Sequence, residues 1–133
     1  MQLDFRGRFY RCFLSNENVI KCLSACIDVH GMDAGHCKGR YNGVVLLLVG
    51  REGDGANMIL CMAIVPKESC DNYVWFILNC IKSGVRFHQK VVMVDRSSAI
   101  LSADKSWIIR IPTLFNSFSA LKIAELLSTI TTF

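Results

Sequence analysis

Two aspartates sit where a pair of carboxylates could do metal chemistry. Asp33 lies in the small polar stretch Gly31-Met32-Asp33-Ala34-Gly35, and Asp95 closes the apolar run Val91-Val92-Met93-Val94. Two carboxylates held close together repel, and one takes up a proton unless a cation bridges them. An all-oxygen donor set of this kind suits Mg²⁺ or Mn²⁺. A pair of such ions about 3.5–4 Å apart activates water and stabilises the leaving oxygen in phosphodiester cleavage. The plainer alternative is that each aspartate caps a turn or a following helix. A second cluster, Cys22-x-x-x-Cys26 with His30 and His36, has the residue types of a zinc site. Its spacing fits no zinc finger, because a second cysteine pair or a following His-x(3–5)-His is missing.

The elements that must position Asp33 and Asp95 are legible in outline. A strand is expected from about Ala25 to Ala34, with bends at Gly35 and Gly39 and a tight turn at Tyr41-Asn42-Gly43 using positive φ. Val44 to Gly50 is an apolar strand, and Arg51-Glu52-Gly53-Asp54-Gly55 a charged, glycine-rich hairpin loop. Asn57 to Val65 completes an antiparallel meander. Pro66 stops it, and Ser69 or Asp71 can cap a helix over Tyr73 to Lys82, with Val74, Ile77, Leu78 and Ile81 as its apolar stripe. Lys82 stands in its last turn and Gly84 serves as its C-terminal cap. Lys90 to Val94 reads as a buried strand. Because a helix precedes it, this strand should run parallel to a meander strand, and beside the Asp33 strand it would bring the two aspartates together. A short helix over Ser97–Ala103, a strand over Trp107–Ile111 and a helix over Ser119–Thr129 complete the expectation. At the N-terminus, Phe5, Phe9 and Phe13 recur every fourth residue, which fits a short helix with an aromatic stripe. Interleaved with Arg6, Arg8 and Arg11, these aromatics suit either nucleic-acid contact or packing on the domain.

Composition bounds the answer. The chain has 133 residues, enough for one core. Its 52% hydrophobic content and mean hydropathy of +0.35 exclude a disordered chain. No apolar run reaches the ~18 residues that span a bilayer, so no membrane partner is expected. The net charge of +4 is compatible with nucleic acid as a partner. Seven cysteines, an odd number, with no apolar leader at Met1–Arg6, point to free thiols in a reducing, intracellular environment.

An ordered set of short motifs resembles the transposase domain of Mutator-like elements. Gly31-Met32-Asp33-Ala34-Gly35-His36-Cys37-Lys38-Gly39 looks like the G-hydrophobic-D-x-x-H-x-K-G block that opens that domain. Tyr41-x-Gly43, the loop Arg51 to Asn57 and the strand Met62-Ala63-Ile64-Val65 follow in register. Glu68 with Tyr73-Val74-Trp75-Phe76 resembles the family's helix start, and Met93-Val94-Asp95-Arg96 its second acidic block. Phe9-x-x-x-Phe13 resembles a segment that precedes the first block. The likeness runs from about Phe9 to Ala103.

The resemblance implies a ribonuclease-H-like α/β fold: a three-strand antiparallel meander, then helix-strand-helix units, in a mixed sheet with an incomplete C-terminal part. It implies a lead-in segment at 1–20, a partial transposase core at 21–111 and a divergent C-terminal helix at 112–133. By the same resemblance, Asp33 and Asp95 are catalytic ligands for Mg²⁺ or Mn²⁺, and His36, Lys38 and Arg96 contact nucleic acid. Glu68 and Trp75 have structural jobs on the helix. The implied activity is DDE-type cleavage and transfer of DNA strands, with transposon ends and target DNA as partners, a possible homo-oligomer and a nuclear location. The family's C-x-x-H block, helical insertion and third acidic residue have no counterpart after Ala103, and Glu125, on the expected Ser119–Thr129 helix, is the late candidate for a third ligand. The implied protein is therefore a truncated transposase fragment, inactive alone. The alternative is a non-catalytic DNA- or protein-binding module on the same fold.

Overall fold

The computed structural model describes residues 1–22, 29–87 and 91–94. They form a mixed α/β structure. The strands are β1 (Gln2–Leu3), β2 (Phe9–Ser15), β3 (Val29–His36), β4 (Val44–Arg51), β5 (Asn57–Val65) and β6 (Val91–Val94). The helices are α1 (Glu17–Lys21) and α2 (Cys70–Lys82). The sheet order is β1-β2-β5-β4-β3-β6. All pairings are antiparallel except β3 with β6, which is parallel.

The meander forms where apolar runs alternate with turn chemistry. In the β4–β5 loop, Asp54 Oδ1 accepts from the Ala56 N–H, Arg51 Nε donates to the Gly55 carbonyl, and Gly55 takes φ +92°. The β3–β4 connection differs from expectation. Cys37 N–H donates to the Gly43 carbonyl, and the left-handed residue is Gly39 (φ +134°). Neither Asn42 nor Gly43 has positive φ. A turn from Cys37 to Gly43 leaves room to reverse the chain at Gly39, so Asn42-Gly43 need not adopt the left-handed conformation. Gly35 does not bend the chain either; it pairs with Val45 inside β3.

The first β-hairpin replaces the expected aromatic helix. Asp4 Oδ1 accepts from the backbone N–H of both Arg6 and Arg8, Gly7 takes φ +75°, and β2 then pairs with β5. A recurrence every four residues puts side chains on one face of a helix, but four is also a multiple of the strand period of two. Phe9 and Phe13 therefore satisfy a strand equally well.

α2 begins at Cys70, earlier than Tyr73, because Ser69 Oγ accepts from the Asn72 N–H and caps it. It ends in a Schellman motif: Val85 N–H donates to the Cys80 carbonyl, Gly84 N–H to that of Ile81, and Gly84 takes φ +105°. Its inward face is Tyr73, Phe76, Ile77 and Cys80, rotated from the expected stripe of Val74, Ile77, Leu78 and Ile81; Ile81 is 47% exposed. The longer aromatic chains reach the sheet, and the smaller aliphatic ones flank them.

α2 covers one face of the sheet. There Met32, Val44, Leu46, Leu48, Cys61, Ala63, Val65 and Val92 are buried, each large aliphatic chain contributing about 1.5–3 kcal/mol. His30, only 1% exposed, lies on this face beneath Gly50, where an added Cβ would come 3.5 Å from His30 Nδ1. A bulge between Leu48 and Val49 changes the β4–β5 register, and Leu60 is buried beside Gly50. The expected elements over Ser97–Ala103, Trp107–Ile111 and Ser119–Thr129 lie outside the described residues, as does the start of the expected Ala25–Ala34 strand.

Candidate functional site

Side chains alternate along β3. His30 and Met32 are buried on the core face of the sheet, so Asp33 is on the opposite face, where it is half-buried. Directly paired residues share a face, which places Asp33 in a row with Leu47, Met62 and Leu14. The next row along the strands is Gly35, Val45, Ile64 and Cys12.

β6 approaches from the other side of β3. Val29 pairs with Val91, His30 with Val92, Gly31 with Met93 and Met32 with Val94. The residues immediately before Asp33 and immediately before Asp95 are thus partners in a parallel ladder. Asp95 itself, like Arg96 and Glu125, lies outside the described residues. Among the described residues no three of His, Cys, Asp or Glu come together as a metal-binding group. Asp33 supplies one hard oxygen donor of the kind a divalent cation takes.

The other motif residues separate. His36 is exposed near the end of β3, three positions from Asp33 and so on the opposite face. Lys38 is exposed in the β3–β4 turn. His30 and His36 are apart on β3, one buried and one in solvent, and with Cys22 they form no cluster. Glu68 and Trp75 have structural partners: Tyr73 Oη donates to Glu68 Oε1 at 3.0 Å, and Trp75 meets Phe13 of β2 edge-on, with ring centroids 6.4 Å apart.

A feature that no motif announces is a cavity of about 620 Å³ at the end of the sheet where β3 turns into β4. Tyr10, Lys38, Arg40 and Tyr41 line it. The signal in the sequence is the pairing of cations and an aromatic in Lys38-x-Arg40-Tyr41, which falls in a turn.

The fold and site define a mixed-sheet α/β protein with a half-buried carboxylate on its central meander. Protein-family models, curated proteins and solved structures show no match to this chain. Among the described residues no helix is long and apolar enough to cross a membrane.

Proposed function

We propose that this chain is a ribonuclease-H-like domain derived from a Mutator-like transposase, with Asp33 and Asp95 as ligands for Mg²⁺ or Mn²⁺. The observation that carries the reading is the parallel β3–β6 ladder, in which Met32 faces Val94 one residue short of both aspartates. Three antiparallel strands, a helix and a strand returning parallel to the first is also the element order such a fold requires. Bound metal would supply Lewis-acid activation of water and of the leaving oxygen in DNA strand cleavage. The chain's own part is to hold Asp33 on a strand fixed between β4 and β6, so that little motion separates it from its partner strand. Without a third acidic ligand in a family pattern, the chain is inactive alone; Glu125 is the late candidate. Target DNA, self-association and a nuclear location follow from the same resemblance and are proposed with it. The second reading is a non-catalytic binding module on this fold, favoured by the cavity beside the β3–β4 turn.

The test is a Mn²⁺ titration followed by thermal melting of wild type, Asp33→Asn and Asp95→Asn. A shared site raises the melting temperature of wild type only, by the equivalent of about 2.7 kcal/mol at a hundred times Kd. No metal effect on wild type would sink the metal reading and leave the binding module.

A further inference from the structure

The cavity beside the β3–β4 turn is lined in part by Ile64, which lies on the same face of the sheet as Asp33. Its floor lies where Cys37, Gly43 and Ile64 meet: a Cβ built on Gly43 would stand 3.9 Å from both Cys37 Sγ and Ile64 Cγ2. Ile64 belongs to the row of Gly35 and Val45, next to the row of Asp33. Cys37 follows Asp33 by four residues, so the floor is roughly 13 Å along the strand from the carboxylate.

Three aromatic side chains stand in solvent around this concavity. Tyr41 is 84% exposed, Phe9 51% and Tyr10 41%. Three rings left open around one cavity form a stacking surface. Lys38 and Arg40 line the same cavity, and among the described residues neither side chain makes a hydrogen bond or ion pair. No carboxylate is among the described residues that line it. Among the described residues the rim thus carries two cations and no carboxylate. The absence of a side chain at Gly43 keeps the floor open, since any Cβ there would press to 3.3 Å on the Val65 carbonyl.

Flat aromatic rings beside unpaired cations match one ligand chemistry: a planar base attached to a phosphodiester. We infer that this cavity binds single-stranded nucleic acid, a base stacking on Tyr41 and the flanking phosphates meeting Lys38 and Arg40. Base–aromatic stacking tolerates any sequence, because every base has a π-face. A duplex keeps its bases stacked inside and presents only its backbone here, so it binds more weakly. The site does not require the metal reading, because none of its interactions involves Asp33.

The experiment is fluorescence anisotropy of a short labelled oligothymidylate with the full chain, in EDTA, on wild type and four variants of matched melting temperature. Tyr41→Ala lowers affinity roughly fivefold or more. Lys38→Ser/Arg40→Ser lowers it and flattens the dependence of log K on log salt by about 0.7 for each phosphate no longer neutralised. The remote pair Lys21→Ser/Lys82→Ser leaves both nearly unchanged, and Asp33→Asn binds as wild type. A labelled duplex of the same length binds less tightly than the single strand. Absence of binding by wild type, wild-type affinity for Tyr41→Ala, or equal losses from the near and remote double variants would overturn the assignment. So would loss of binding in EDTA or in Asp33→Asn, which would move the binding surface to the carboxylate. Metal-independent binding with no Mn²⁺ effect on melting would keep this site and reject the metal reading alone.

Discussion

Arg11 joins three elements through one side chain. Its guanidinium lies 4.2 Å from the centroid of Trp75 on α2, Nη1 donates to Asn72 Oδ1 at 3.1 Å, and Nε donates to Gln2 of β1. Asn72 is buried and its Nδ2 donates to the Lys67 carbonyl, so its oxygen depends on Arg11 for a partner. Burial lowers the Arg11 pKa, but an arginine remains charged throughout the working range. Arg11→Ala should therefore cost about 2–3 kcal/mol, because it strands a buried carbonyl and removes the cation stacked on Trp75. Arg11→Lys keeps the charge but cannot fork between Gln2 and Asn72 while lying flat on Trp75, so it should recover less than half of that. Urea unfolding of both variants measures this, and full rescue by lysine would show that charge alone matters. Nothing in the sequence links Arg11 to Asn72, 61 positions away. Packing of this N-terminal stretch on the domain is one of the two roles its composition allows, but the partner is not legible there.

At the scale of elements, ends are easier to read than faces. Ser69 or Asp71 as N-cap, Lys82 in the last turn and Gly84 past the end of α2 follow from local chemistry; Ser69 takes the cap, and Lys82 and Gly84 occupy the expected places. Gly84→Ala should destabilise the chain by about 1–2 kcal/mol, because φ +105° strains any side chain and the new Cβ would sit 3.4 Å from Ile20 Cγ2. Thermal melting checks it; an unchanged melting temperature would mean that the helix end relaxes freely. The inward face of α2 departs from the expected stripe, since Tyr73, Phe76 and Cys80 turn inward and Ile81 outward. The N-terminal strand departs from the expected helix because spacing by four satisfies both periods. The Leu48–Val49 bulge has no signal, because both strands read as unbroken apolar runs.

The described residues form two layers, and the thiols of Cys61 on β5 and Cys80 on α2 meet between them. Burial, reinforced by Cys61 beside it, pushes the Cys80 thiol far above its ordinary value of 9.0. The folded state keeps a proton that the unfolded chain gives up. This contribution is therefore fully present below about pH 9 and drains away as pH rises beyond it, by up to about 1.4 kcal/mol per unit. Melting temperatures from about pH 8 to about pH 10.5 should fall, and the fall should be shallower in Cys80→Ala, whatever that variant loses in packing. Equal slopes would show that other groups govern the alkaline limit.

The sequence by itself determined the meander, the crossover helix and its caps, and the return strand that precedes Asp95. These rest on apolar runs, turn residues and capping groups, which act over a few residues and do not depend on distant partners. Only the tertiary structure decided that β6 lies beside β3, in a register that aligns Val94 with Met32. A strand's neighbour is chosen by packing across the whole sheet. Only the tertiary structure set Asp33 on the face away from α2, gathered Tyr10 and Tyr41 around one cavity, and put Arg11 over Trp75. Those residues are far apart in the chain, and their meeting is fixed by strand order and register, which no local pattern encodes.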